Sequence, residues 1–267
     1  MALVGKMPWR IKAIFVSMYT LKKALGQHFL KDKEMIARIV DALMQDPFDQ
    51  LLEVGPGGGA LTESLLKIPD VNFKAVELDQ EKVDYLLKAF PTITGKIIHE
   101  SFLDTKNPFE GDFTVIGNFP YNISTQILFK ILDWKDNVPV VIGMFQKEVA
   151  QRAAAAPGSK AYGVLSALIQ PFYDIEYLFD VPAECFNPPP KVMSGVIRLR
   201  RKKEKLRVLS DKAYTAVVKN AFNQRRKTLR NALKSMFPAE VLKDHIFDKR
   251  AEMLSIEDFA NLTFKLP

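Results

Sequence analysis

Cysteine is nearly absent. Cys185 is the only one, so no intramolecular disulfide can form, and the chain fits a reducing, cytoplasmic setting. Histidine is scarce too: His28, His99 and His245 lie far apart. With one thiol they make no zinc-ligand spacing, so no metal is expected. No run approaches the roughly 18 consecutive apolar residues of a membrane span, so no membrane association is expected. A secretory signal is not expected either. Lys6, Arg10 and Lys12 precede only Ala13-Ile14-Phe15-Val16, which is too short an apolar core, and no clean cleavage site follows. Residues 1–20 are expected to be a disordered leader with Met18 as an alternative start; a basic, acid-free organellar presequence is the alternative.

What is present is ordinary in bulk and unusual in placement. The 267 residues are 48% hydrophobic and 26% charged, enough for one or two domains with a real core. The net charge of +7 is concentrated. Residues 198–234 hold fourteen Lys and Arg against Glu204 and Asp211, or +12, while the remaining 24 basic and 29 acidic residues give −5. A basic block on a mildly acidic body points to a polyanion, nucleic acid above all. A solvated helical face is the plainer alternative.

Short apolar runs alternate with helical patterns. Strands are predicted over residues 51–54, 73–78, 96–100, 113–117, 139–145, 175–179 and 192–199. Helices are predicted after the cap Asp32, over residues 60–67, after the cap Asp79, and over 147–155 and 163–172. Residues 20–30 read as a loop. The order predicts an α/β doubly wound sheet, parallel in its first five strands, with ligands at the strands' C-terminal edge. The last two strands lack an intervening helix and should pair antiparallel. From residue 203 the pattern becomes helical, over 214–222, 227–237 and 256–262. The domains expected are 21–202 and a small basic helical unit, 203–267, in which Arg225, Arg226, Lys227 and Arg230 are candidate RNA contacts.

Gly55-Pro56-Gly57-Gly58-Gly59-Ala60 follows the first of these strands and fits a dinucleotide-binding turn, with Glu77 placed to bind ribose hydroxyls. The pattern alone admits NAD or S-adenosylmethionine. Pro56 removes an N–H that a phosphate cradle would use, and Glu53 suits a cationic sulfonium. Glu53 could equally pin the turn. Asp104 is placed either to meet a cofactor adenine or to cap its own loop.

Asn118-Phe119-Pro120-Tyr121 sits at the end of the fourth parallel strand. The Asn118 side-chain oxygen and the Pro120 (or Phe119) carbonyl can accept both N–H bonds of an adenine amine and expose its lone pair. Tyr121 can stack on the base and stabilise its developing positive charge. Such a base must be flipped out or unpaired. The alternative makes Asn118 a helix cap and the two rings core. A dehydrogenase leaves these four residues unexplained, and a cytosine-carbon methyltransferase needs a nucleophilic cysteine, which Cys185 is not placed to be.

The motifs as a set resemble the ribosomal RNA adenine dimethyltransferases, the small-subunit enzymes in particular. They are Leu25-Gly26-Gln27-His28-Phe29-Leu30, Glu53 to Thr62, Glu77-Leu78-Asp79, Asn118 to Tyr121, Phe186-Asn187-Pro188-Pro189-Pro190-Lys191-Val192 and Phe222 to Leu229. The resemblance implies a Rossmann-like class I methyltransferase fold with a helical C-terminal domain. It implies S-adenosylmethionine as cofactor, held by His28, Leu30, Gly55, Gly57, Glu77, Asp104 and Asn118 with Glu53. The substrate implied is small-subunit ribosomal RNA or its precursor particle, methylated twice on each of two adjacent adenosines by a monomer. A sister enzyme acting on large-subunit RNA, and an assembly factor with a dispensable site, are the alternatives. Phe119 and His28 stand where the family commonly has Leu or Ile and Asn. Phe186, before the proline run, is expected either to stack on the adenine opposite Tyr121 or to fill the core.

Overall fold

The computed structural model describes residues 28–267. The leader and Leu25-Gly26-Gln27 lie outside the described residues. The strands are β1 (Phe29–Leu30), β2 (Gln50–Val54), β3 (Asn72–Glu77), β4 (Ile97–His99), β5 (Thr114–Asn118), β6 (Val140–Gln146), β7 (Tyr173–Val181), β8 (Phe186–Asn187) and β9 (Ser194–Arg201). The helices are α1 (Lys33–Leu43), α2 (Thr62–Leu65), α3 (Gln80–Ala89), α4 (Ser124–Asp133), α5 (Lys147–Ala154), α6 (Val164–Ile169), α7 (Asp211–Asn223), α8 (Leu229–Ala232) and α9 (Ile256–Thr263).

Seven strands form one sheet in the order β4-β3-β2-β5-β6-β9-β7. The pairs among β4, β3, β2, β5 and β6 are parallel; β9 runs antiparallel to both β6 and β7. Successive side chains of a strand point to opposite faces, and here both faces are covered. Leu52, Val115 and Val141 pack into one core with Ile127 and Ile131 of α4. Their neighbours Leu51, Ile116 and Ile142 pack into a second core with Met35, Ile39 and Leu43 of α1. That double burial explains why these strands read as continuous apolar runs.

The predicted caps form. Asp32 accepts from the Met35 N–H at 2.9 Å and Asp79 from the Glu81 N–H at 3.1 Å. Other expectations change. Phe29–Leu30 is not loop but a strand pairing antiparallel with Phe186–Asn187. The helix expected over 60–67 shrinks to α2, because Gly55, Gly57 and Gly59 have φ of 68°, 56° and 79° and the chain turns until Thr62. The helix expected over 227–237 shrinks to α8, because Thr228 bridges Arg250 and the Leu229 N–H donates to the Lys249 carbonyl.

The charge block does not form one patch. Arg198, Arg200 and Arg201 belong to β9 and are neutralised from other elements. Arg198 meets Glu176 at 2.6 Å, Arg200 meets Asp46 at 2.7 Å and Arg201 meets Asp112 at 2.7 Å. Nor does the helical segment stand apart at residue 203. Val217, Val218 and Ala221 of α7 share a third core with Tyr162, Ala167 and Leu168. The Tyr214 hydroxyl donates to the Ala167 carbonyl at 2.9 Å, which fastens α7 to α6.

Candidate active site

The strand order reverses direction between β2 and β5, and ligands bind in α/β sheets at such a switch point. A cavity of about 250 Å³ opens there at the C-terminal edge. The glycine turn, Glu77 and Leu78 form one wall; Glu100 to Leu103 form a second; Asn118 to Ile123 and His28 to Leu30 form the third. His28, Leu30, Glu53, Gly55, Gly57, Glu77 and Asn118, dispersed through the chain, thus line one cavity.

Where the turn's N–H groups go decides what it can hold. The Gly55 N–H donates to the Val76 carbonyl at 2.9 Å and that of Gly59 to the Pro56 carbonyl at 2.8 Å. The Gly57 N–H donates to Glu77 Oε2 at 3.0 Å, and Pro56 has none. A phosphate cradle needs several converging N–H groups; those of Gly55, Gly57 and Gly59 are already bonded, and the site presents a carboxylate beside them. Glu77 Oε1 accepts from the Asp79 N–H at 2.9 Å. Each carboxylate oxygen keeps lone-pair capacity, which suits ribose hydroxyls and repels a pyrophosphate. With Phe102, Leu103 and Ile127 as apolar wall, the residues present fit an uncharged nucleoside end better than a dinucleotide.

Glu53 is buried. Its Oε2 accepts from the Thr62 hydroxyl at 2.7 Å. Burial pushes the carboxyl up to about 8; the Thr62 hydroxyl pulls it down in part, the Glu77 charge raises it again, and the Thr62 N–H lowers it. Burial therefore favours the uncharged acid at Glu53. Through Thr62 it anchors the exit of the turn, and a cation beside it would favour its ionisation.

Asn118 ends β5, and its Nδ2 donates to the His28 carbonyl at 3.2 Å. That bond leaves Oδ1 as the acceptor available to the cavity. The Pro120 carbonyl accepts from the Ile123 N–H at 3.3 Å and retains one lone pair. The Tyr121 hydroxyl is hydrogen-bonded to the Ser194 hydroxyl, and burial raises its pKa while the Ser194 bond lowers it. Phe119 borders the cavity but turns its ring into the core. Its buried ring packs 4.9 Å from that of Phe145, over two glycines. A Cβ on Gly117 would come within 2.8 Å of the Phe119 ring, and one on Gly143 within 2.5 Å. The larger ring at this position is thus accommodated by the sheet beneath the slot.

Two expected residues are elsewhere. Phe186 is 1% exposed, in the core with Leu30, Met144 and Val196, and does not line the cavity. β8 pairing turns it inward, so the core alternative holds and no sandwich with Tyr121 is formed. Asp104 is exposed. The Ser101 carbonyl accepts the Asp104 N–H at 3.0 Å, and this turn directs Ser101, Phe102 and Leu103 to the cavity instead. Sequence reasoning missed those three and Ser194, none of which has a motif of its own.

The basic candidates also divide. Arg225 donates to the Lys160 and Tyr162 carbonyls at 2.8 and 3.2 Å. Arg230 donates to the Leu242 carbonyl at 3.0 Å and pairs with Asp248 at 2.7 Å. Both brace the fold. Arg226 and Lys227 are exposed and have no acidic partner among the described residues, as do Lys203, Lys212, Lys219 and Lys234. No group of metal-ligating side chains occurs among the described residues, and no described helix is long and apolar enough to cross a membrane.

Known proteins are similar to this chain over most of its length. The family model described as ribosomal RNA adenine dimethylase matches residues 18–265. The ribosomal RNA small subunit methyltransferase A of Cytophaga hutchinsonii is 52% identical over 246 residues, covering 91% of this chain and 95% of that protein. The protein of the same name from Porphyromonas gingivalis is 48% identical over 251 residues, covering 92% and 97%. Among solved structures, a dimethyladenosine transferase from Plasmodium falciparum superposes with a TM-score of 0.75 at 24% identity, over 88% of this chain and 96% of its own. The 23S rRNA methyltransferase ErmE does so at 0.66 and 24%, over 89% and 99%. The two superpositions establish a methyltransferase fold, and the sequence matches establish descent: the chain belongs to the ribosomal RNA adenine dimethylase family.

Proposed function

We propose that this protein dimethylates the N6 amine of two adjacent adenosines near the 3′ end of small-subunit ribosomal RNA, during subunit maturation, with S-adenosylmethionine as donor. The observation that carries the reading is the convergence, at the open edge of the cavity, of two oxygen acceptors beside an aromatic face: Asn118 Oδ1, the Pro120 carbonyl and the Tyr121 ring.

The cofactor, when bound, supplies an electrophilic methyl. The chain's own residues do the rest. Glu77 accepts from ribose hydroxyls, and Ser101 to Leu103 border the cofactor's base. Asn118 Oδ1 and the Pro120 carbonyl hold the two N–H bonds of the target amine and draw its nitrogen toward pyramidal geometry, which frees a lone pair otherwise delocalised into the ring. Tyr121, tethered by Ser194, offers a π face to the base as positive charge grows on it. No side chain need act as a strong base, because the amine proton becomes acidic once the nitrogen is alkylated. After one transfer the amine still has a hydrogen to give, so the same slot accepts it again.

Arg226, Lys227 and Lys219 are the RNA contacts we favour, since they are exposed with no acidic partner among the described residues. Mass spectrometry of ribosomal RNA from cells lacking the protein tests the whole reading. The dimethylated adenosines should vanish from small-subunit RNA and return when the gene is restored; their persistence would refute it.

A further inference from the structure

The His28 ring occupies ground that this chemistry needs. Its centroid lies 5.6 Å from that of Tyr121, with 30° between the planes. Its Nδ1 is hydrogen-bonded to the Pro188 carbonyl at 2.9 Å, and its main-chain carbonyl accepts from Asn118 at 3.2 Å. A base inserted between the two rings needs their planes about 7 Å apart, twice the ~3.4 Å spacing of stacked bases. The observed pair is too close to admit one.

We propose that His28 is a placeholder for the target base: its imidazole holds the cavity face of Tyr121 in the free enzyme and gives way to the adenine. Residue 28 then sets the affinity for the extruded base. The proposal rests on the reading of Tyr121 as the base platform. The imidazole is suited to the part. It is flat and heteroaromatic, about the size of the smaller ring of a purine, and it keeps the platform stacked when no base is there. Its two attachments differ in kind. The ring is held to Pro188 by one nitrogen, which side-chain rotation releases. The main chain is held to Asn118, and that bond survives the rotation, so the amide that orients the amine is undisturbed by the exchange.

The entering base must therefore displace a stacked aromatic pair, which makes the ring a competitor of about threefold to tenfold. With cofactor saturating and its Kd measured separately, His28→Ala should lower KM for substrate RNA by about that factor without raising kcat. His28→Asn, which removes the stack but keeps a polar side chain, should behave like His28→Ala. A residue that walled in the bound base would raise KM in both variants. A second measurement needs no turnover. The imidazole proton signals of His28 carry the ring current of Tyr121. With S-adenosylhomocysteine present they should move to free-imidazole positions when substrate RNA is added, and stay put with RNA whose target adenosines are abasic. An unchanged or raised KM in the two variants, or an unmoved His28 signal, overturns the proposal. Tyr121→Ala separates it from its parent. If that variant keeps the wild-type KM and kcat for RNA, Tyr121 is no platform, whatever His28 does. If it is defective while the His28 signal stays put, the platform stands and the placeholder falls.

Discussion

Ser194, fully buried on β9, holds the hydroxyl of Tyr121, which belongs to the loop after β5. The edge of the antiparallel extension thereby fixes the tilt of the ring beside the slot. Ser194→Ala leaves a largely buried phenol without its partner, a cost of about 1–3 kcal/mol. We expect kcat to fall about five- to tenfold while cofactor affinity holds. Tyr121→Phe should show the same loss. The double variant should lose no more than either single one, because both remove one bond. Additive losses in this cycle would separate the two side chains.

Asn118→Ala removes the Oδ1 acceptor and the tie to His28. Methyl transfer should fall by at least about a hundredfold, in the range seen for removing one oriented polar group from a transition state. Cofactor Kd, read by calorimetry, should change by less than about tenfold. Comparable losses in both would make Asn118 a cofactor ligand first.

Glu53 gives a pH signature. Burial raises its carboxyl from the ordinary 4.5 to about 8 in the folded chain. Between those values the folded chain binds more protons than the unfolded one, so its stability declines as pH rises, by up to about 1.4 kcal/mol per pH unit from this group. The contribution is complete below pH 4.5 and gone above 8. Glu53→Gln should match the wild type at pH 5 and melt higher at pH 8.5. The charged donor binds better beside an ionised Glu53, so its affinity for the wild type should rise between pH 6 and 8.5, and the Gln variant should lack that rise.

Gly143 faces both the Phe119 and Phe145 rings. A Cβ there would meet each at 2.5 Å. Gly143→Ala should destabilise by about 1–3 kcal/mol through overpacking, seen as a lowered Tm. Adding Phe119→Leu should recover part of it, since one of the two rings is then smaller.

The basic residues should sort by role. Neutralising Arg226 and Lys227 should flatten the salt dependence of RNA binding by about 0.7–0.9 in log–log slope per lost phosphate contact, with Tm unchanged. Arg225→Ala should lower Tm, because its guanidinium bridges the Lys160 and Tyr162 carbonyls.

These assignments also mark where the sequence was legible. Local signals read through: the caps Asp32 and Asp79, the apolar strands and the glycine turn depend on neighbours a few residues away. The cavity was legible too, because parallel topology brings strand ends to one edge. Most of what failed depends on partners distant in sequence. Phe119 and Phe186 are both aromatics close to prolines in sequence, and only the glycines of β5 and β6 and the pairing of β8 with β1 decide that both rings turn inward. Asp104 and Ser101 are three residues apart, and one turn decides which faces the cavity. The run from Arg198 looked like free charge because Glu176, Asp46 and Asp112 are invisible to a local count.

The core that joins α6 to α7 has a metric consequence. Tyr162, Ala167 and Leu168 interlock with Val217, Val218 and Ala221, so the basic helical segment shares buried packing with the body that carries the slot. If RNA seats on Arg226 and Lys227 as proposed, this shared core sets the span from that seat to Asn118, and selection among chemically identical adenosines becomes a matter of distance.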